Sequence, residues 1–362
     1  MKILLLIGDI TLGGGAERVV CNLANGFNAL GHDVEILSFY KDGEKSLYEI
    51  HKNIKISFFY KTPRKQVFKK PFHRLYYKHY ESYILKQKYK DIDVMIYNNC
   101  SQFPFFKNKN TKYIKLIHEI FKRYQSRNNF FDNLVILSFC ELELWKKHHK
   151  NVSVIPNFIP NFIPNFIPNF IPNISKKKSD LSQKNILSIG RMTLEDQKGF
   201  LRLIDIWKIV QKKEIYKDWT LTIVGEGKLK KTIEQKIKED KLENSIILKP
   251  FTKEIEKEYL KASIYVMTSY FESFGMVLIE SANYNIPSIS FDIYSGPKEI
   301  IENKKSGFLI KDGNLQEFAD KICLLMDNEN LRKQMGQNAK KKIQNEFSKE
   351  IIMQKWIKLI NS

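Results

Sequence analysis

Lys2-Ile3-Leu4-Leu5-Leu6-Ile7, then Gly13-Gly14-Gly15-Ala16-Glu17, then Leu30-Gly31, then Asp33-Val34-Glu35-Ile36-Leu37-Ser38-Phe39: this opening stretch decides the fold class. The apolar run after Lys2 is too short for the core of a secretory leader, which needs ~7–15 residues. It reads instead as a buried strand. The glycines make a turn, Glu17 to Leu30 reads as a helix with Gly31 as its C-cap, and Asp33–Phe39 reads as the next strand. Strand, turn, helix and strand in that order form a βαβ unit, which predicts a parallel sheet with helices on both faces.

Val94–Tyr97, Tyr113–Ile117 and Leu134–Leu137 read as further strands of that sheet. The rhythm restarts near residue 186. Strands are expected at Ile186–Ser188, Leu221–Val224, Ile246–Leu248, Tyr265–Thr268 and Ser288–Phe291. Helices are expected at Lys198–Gln211, Leu229–Asp240, Glu254–Leu260 and Gly275–Asn283. That alternation predicts a second doubly wound α/β domain, and two such halves predict a ligand cleft between them. A length of 362 residues suits two domains. The expected division is an N-terminal domain 1–154, a linker 155–174, a second domain 175–345, and a helix 346–362 returning to the first.

The linker carries no charge from Ile155 to Ile174 and contains five consecutive Ile-Pro-Asn units. Pro156, Pro160, Pro164, Pro168 and Pro172 each remove a helical donor, so this stretch cannot satisfy its backbone inside lipid. Extended and turn conformations suit it. It reads as a tandem duplication acting as a spacer, with an interaction loop as the alternative.

Composition narrows the class further. At 43% hydrophobic and 13% aromatic residues, disorder is excluded. Lys and Arg outnumber Asp and Glu 60 to 40, and a net charge of +20 calls for an anionic neighbour: nucleic acid, a membrane surface or a phosphate-bearing substrate. Cys21, Cys100, Cys140 and Cys323 form no Cys-x-x-Cys pair, which argues against zinc and disulfides and suits a reducing cytosol. Between Lys61 and Lys90 there are ten basic residues and one acid, Glu81, interleaved with Phe68, Phe72, Tyr76, Tyr77, Tyr80 and Tyr83. That pattern fits an interfacial membrane contact, a nucleic-acid patch, or a solvated helix with an aromatic core stripe.

Several residues could carry chemistry. Gly13, Gly14 and Gly15 let backbone amides approach a phosphate or sugar at a helix start. Arg191 follows a strand and Lys198-Gly199 opens a helix, so two cations stand where a diphosphate could be neutralised. Phe271-Glu272-Ser273-Phe274-Gly275-Met276-Val277-Leu278-Ile279-Glu280 places one carboxylate in a strand-to-helix loop and a second two turns along. Glu280, beside Val277, Leu278 and Ile279, would be costly to bury unless bonded. The amides of Phe274, Gly275 and Met276 offer an anion site at the helix start.

Gly13-Gly14-Gly15-Ala16-Glu17-Arg18, Gly190-Arg191 with Lys198-Gly199, the Glu272-x7-Glu280 pair and Ser295-Gly296-Pro297-Lys298-Glu299-Ile300 together resemble the retaining family-4 glycosyltransferases of the GT-B fold. The resemblance runs over nearly the whole chain and implies two Rossmann-like domains. It implies that Glu280 holds the donor ribose, that Glu272 lies against the transferred sugar, and that Arg191 and Lys198 hold the diphosphate. It also places His118, after Leu116-Ile117, beside the sugar. Lys198 stands seven positions after Arg191, longer than the shortest family spacing, so the loop Met192–Gln197 must bulge.

The expected reaction moves a hexose or N-acetylhexosamine from a nucleotide sugar, UDP-galactose or UDP-N-acetylgalactosamine, onto a lipid-linked or surface glycan of a bacterium. Asp91-Ile92-Asp93, the only Asp-x-Asp, leads into a first-domain strand, so no metal or cofactor is expected. With a lipid-linked acceptor, residues 61–90 are expected to face an anionic inner-membrane surface, with the protein cytoplasmic and peripheral and no nucleic acid bound. The competing readings are a nucleotide-sugar epimerase, a phosphorylase, or a basic nucleic-acid binder.

Overall fold

The computed structural model describes residues 1–68, 73–158, 177–252 and 254–362. The Ile-Pro-Asn units from residue 159 onward lie outside the described residues, as do Lys69, Lys70 and Phe72 of the basic stretch. The chain divides into one unit of Met1–Asn157 with Lys349–Ser362 and a second of Phe158–Ser348.

The first unit is a seven-stranded parallel sheet built from β1 (Lys2–Ile7), β2 (Asp33–Ser38), β3 (Lys55–Phe58), β4 (Val94–Asn98), β5 (Lys112–Leu116), β6 (Asn133–Ile136) and β7 (Val152–Val154). Their order is β3-β2-β1-β4-β5-β6-β7. β1 is buried from Ile3 to Ile7 because strands pair with it on both sides and helices cover both faces. The first helix spans Gly15–Ala29, starting two residues before the expected Glu17. Gly31 follows it at φ +82°, the left-handed conformation a C-cap glycine supplies.

The terminal helix Lys349–Asn361 closes this unit. Trp356 meets Phe27 edge-on at 6.1 Å, and Lys112 Nζ donates to the Leu359 carbonyl at 2.6 Å. Strands β3 and β7 escape the sequence reading. They are the two edges, and their half-buried or exposed residues give no clean apolar alternation.

The second unit holds β8 (Asn185–Ile189), β9 (Thr220–Val224), β10 (Ile246–Lys249), β11 (Ile264–Met267), β12 (Ser288–Asp292) and β13 (Gly307–Lys311). These are parallel throughout, in the order β10-β9-β8-β11-β12-β13. The sequence reading locates five of them within about one residue; β13, an edge strand, is missed. Trp207, Phe200, Phe291 and Phe318 fill the core.

Two helical glycines pack tightly against a neighbouring segment. A Cβ on Gly336, in the helix Glu329–Glu346, would lie 1.8 Å from the Asn285 carbonyl oxygen. One on Gly26 would lie 2.6 Å from the sulfur of Met353, which can swing away. Gly336→Ala is therefore expected to cost about 1–3 kcal/mol, lowering the melting temperature by roughly 2–4 °C per kcal/mol. Gly26→Ala should stay within about 1 kcal/mol of the parent, because removing a mid-helix glycine offsets the crowding. Thermal unfolding of the two variants beside the parent checks both; equal stability would contradict the packing.

Candidate active site

Gly190 and Arg191 follow the end of β8, and the chain then bulges before the helix Phe200–Val210. Asp196 organises the bulge. Its Oδ1 accepts from the Phe200 amide at 2.8 Å and its Oδ2 from the Leu201 amide at 3.0 Å, capping the helix. A Cβ on Gly199 would stand 2.0 Å from the Thr268 carbonyl oxygen, and its φ is +66°, so only glycine fits. This turn absorbs the long spacing between Arg191 and Lys198. The Lys198 stem then lies back across Gly190, where a Cβ would meet Lys198 Cγ at 2.7 Å.

Lys198 Nζ ends on Glu272 Oε1. The same oxygen accepts from Ser269 Oγ at 2.7 Å. The Glu272 main chain is held as well, since Ser295 Oγ donates to its carbonyl at 2.6 Å. Gly296 sits so close behind, at φ +91°, that a Cβ would lie 2.8 Å from the Phe274 carbonyl. Arg202 pins the strand exit from below. Its Nε donates to the Thr268 carbonyl at 2.5 Å, its Nη2 to the Ser269 carbonyl at 2.6 Å, and its Nη1 pairs with Asp312 at 2.8 Å.

Glu280 has a separate support. It lies on the helix Met276–Asn283 and is buried, with Oε2 accepting from the Tyr259 hydroxyl at 2.9 Å. Its burial beside an apolar run is thus compensated, as the sequence demanded. Gly275, at φ +93°, caps the same helix, leaving the Phe274-Gly275-Met276 amides at its positive end. Arg191 is exposed and forms no hydrogen bond or ion pair among the described residues.

In the first unit, His118 follows β5. Its Nε2 is buried without a hydrogen-bond partner among the described residues, and burial pushes the imidazole down to about 4. None of Gly13, Gly14 and Gly15 takes a left-handed conformation. A Cβ on Gly15 would meet nothing within 4 Å, so the fold itself does not require that glycine. Asp9 ties the loop down, accepting from Thr11 at 2.9 Å and 2.6 Å and from the Asp42 amide at 2.8 Å.

Part of the basic stretch forms the helix His73–Lys88. Tyr76, Tyr80 and Tyr83 are exposed at helical spacing, and exposed Phe106 meets Tyr83 edge-on at 5.9 Å. The one acid, Glu81, points inward. It accepts from Gln102 Nε2 at 3.0 Å, and burial pushes its carboxyl up to about 7.

Sequence reasoning missed Asp196, Arg202, Tyr259, Ser269 and Ser295. Tyr259, Ser269 and Ser295 hold the candidate glutamates, while Asp196 and Arg202 fix the turns beside them, and a lone serine, tyrosine, arginine or aspartate carries no motif. Among the described residues, no group of three or more His, Cys, Asp or Glu side chains is arranged to hold a metal ion. No helix there is long and apolar enough to cross a membrane.

His118 makes a testable contribution to stability. Its folded value lies below the ordinary 6.5, so between about pH 6.5 and 4 the unfolded chain takes up a proton the folded chain refuses. Stability is therefore lost as pH falls through that window. His118→Gln should lose less melting temperature than the parent between pH 7 and pH 5; equal losses would contradict the buried neutral imidazole.

Comparison with known proteins shows what this chain is similar to. Residues 170–342 match the model of the glycosyl transferases group 1. An uncharacterized glycosyltransferase of Haemophilus influenzae is 28% identical, with 98% of each chain covered. A Campylobacter jejuni alpha-1,4-N-acetyl-D-galactosaminyltransferase is 25% identical over 99% of this chain and 98% of its own; its name specifies a GalNAc-bearing undecaprenol-PP acceptor. S. aureus TarM, solved with fondaparinux, alpha-GlcNAc-glycerol and UDP, superposes with a TM-score of 0.79 at 20% identity, with 100% of each chain covered. Two parallel Rossmann-like sheets, that structural likeness and the group 1 match identify the chain as a glycosyltransferase of the GT-B fold that carries a group 1 domain.

Proposed function

We propose that this glycosyltransferase is a retaining family-4 enzyme. It moves a hexose or N-acetylhexosamine from a UDP-sugar, UDP-galactose or UDP-N-acetylgalactosamine foremost, onto a lipid-linked or surface glycan. The observation that carries this reading is the contact between Lys198 and Glu272 at the carboxyl edge of the second sheet. It sets a cation suited to a diphosphate beside a carboxylate suited to sugar hydroxyls. UDP bound to TarM and the undecaprenol-PP acceptor in the name of the Campylobacter relative support the donor and acceptor classes.

In this reading Glu280 accepts from the ribose hydroxyls, with Tyr259 fixing its carboxylate. Arg191 and Lys198, with the amides of Phe274, Gly275 and Met276, stabilise the diphosphate as the sugar–oxygen bond breaks. The Gly13–Gly15 loop gives the ligand room. His118, neutral at physiological pH, meets the sugar as a hydrogen-bonding group rather than a charge. The acceptor hydroxyl enters on the leaving-group side, bonds to the anomeric carbon, and passes its proton to the departing diphosphate oxygen.

Cations thus do at the diphosphate what a metal does in other transferases. Asp93 is placed for a different task, accepting from the Lys2 amide at 2.7 Å at the opposite, amino edge of the first sheet. The decisive experiment is calorimetry of UDP against Glu280→Gln, which keeps the size and an acceptor for Tyr259. A loss of about 1.5–3 kcal/mol is expected, the value of a hydrogen bond to a charged group; unchanged affinity would remove Glu280 from the ribose. UDP release from UDP-sugars should survive EDTA, and loss restored by Mg²⁺ or Mn²⁺ would overturn the metal-free mechanism.

The exposed tyrosines of the helix His73–Lys88, with the cations around them, support a peripheral contact with an anionic inner-membrane surface from the cytoplasmic side. Co-sedimentation should be strong with phosphatidylglycerol vesicles and weak with phosphatidylcholine, and a Tyr76/Tyr80/Tyr83→Ser chain should lose most of it. Binding unaffected by the triple change would remove this face from the membrane.

A further inference from the structure

Glu272 offers two oxygens, and the fold treats them differently. Oε1 receives Lys198 Nζ and Ser269 Oγ, the latter at 2.7 Å, which uses both of its in-plane lone pairs. Oε2 has no hydrogen-bond partner among the described residues. We infer that Ser269 is a positioning residue: by holding Oε1 it turns Oε2 toward the transferred sugar and so sets which hydroxyl configuration the enzyme accepts. This rests on the assignment of Glu272 to that sugar.

Ser269 is built to be immobile. It is 1% exposed, and its carbonyl is gripped by Arg202 Nη2 at 2.6 Å. The preceding Thr268 is held at its carbonyl by Arg202 Nε at 2.5 Å, while its Oγ1 donates to the Gly199 carbonyl at 2.8 Å. The serine hydroxyl hangs on one rotatable bond from this anchored backbone. Lys198 differs in kind: a point charge on a four-carbon stem that can follow the carboxylate through many rotations. Lys198 supplies charge, and Ser269 supplies direction.

The two also differ in what the donor does to them. A diphosphate attracts Lys198, so the cation is shared once the donor arrives. Ser269 stays on Oε1. Oε2 is open as an acceptor, so it reads the position of one donated sugar hydroxyl. A site built to hydrogen-bond a particular hydroxyl discriminates strongly against a sugar that places it elsewhere.

The test measures UDP release from UDP-glucose, UDP-galactose, UDP-N-acetylglucosamine and UDP-N-acetylgalactosamine by Ser269→Ala, Ser269→Cys and the parent. UDP affinity and melting temperature are read on the same proteins. For Ser269→Ala, kcat on the preferred donor should fall about tenfold, and its preference over the C4 epimer should shrink by a similar factor. KM, UDP affinity and melting temperature should stay near those of the parent. Ser269→Cys fills the space with a weak donor and should follow the alanine variant, separating the hydrogen bond from the packing.

An unchanged epimer preference in Ser269→Ala overturns the inference. So does a parallel loss of stability, UDP affinity and turnover, which marks a purely structural serine. Glu272→Gln separates the two levels. If it abolishes turnover while Ser269→Ala keeps its epimer preference, the role of Ser269 alone falls. If Glu272→Gln turns over like the parent, the assignment of Glu272 falls and the role of Ser269 with it.

Discussion

Every strand pairing among the described residues is parallel, so each strand must be followed by a crossover that returns the chain to the same starting edge. The crossover helices bury both faces of the sheet, which is why β1 can be five buried aliphatic residues in succession. The same geometry gathers every strand exit at one edge. In the second unit, the turns after β8, β11 and β12 all open there and bring Lys198, Glu272 and Ser295 together from points far apart in the chain.

Bringing those turns together required backbone to approach backbone. Gly199 against the Thr268 carbonyl, Gly225 against the Gly190 carbonyl and Gly227 against the Met192 carbonyl leave no room for a Cβ. At Gly199 and Gly296 the positive φ adds a second reason for glycine. The cost of the polar groups drawn in with these turns is offset by hydrogen bonds. Lys198 and Glu272 are largely buried as a pair, and Ser269 adds a second donor to the oxygen they share. Glu280 follows the same rule with Tyr259.

Much of the fold was legible in the sequence because its signals are local. The aliphatic run of β1, the glycine turn, the Gly31 cap and the repeated strand-helix alternation each depend on a few neighbouring residues. The edge strands β3 and β7 were not legible, since they share little of the burial that makes a pattern visible, whereas β13 was missed although most of it is buried. The candidate site divides the same way. Glu272, Glu280, Lys198 and Arg191 stand in motifs, and the apolar run beside Glu280 announced that it needed a partner without saying which. The helix 73–88 was legible in composition, but the sequence left open which of its aromatics face water and whether Glu81 joins its charged surface. The fold turns Tyr76, Tyr80 and Tyr83 outward and Glu81 into the core.

The parallel α/β class, the doubling of the sheet, the cationic character and the residue types available at each strand exit can all be read from the chain's order of residues. These follow from local periodicity, turn chemistry and charge, which need no partner to be read. Folding alone settles that Lys198 ends on Glu272, that Ser269 shares its oxygen, that Tyr259 answers Glu280, and that Arg202 holds the Thr268 and Ser269 carbonyls. Apart from the local Ser269–Glu272 bond, these contacts join residues that are adjacent only after the crossovers close, and their geometry depends on that closure rather than on sequence spacing.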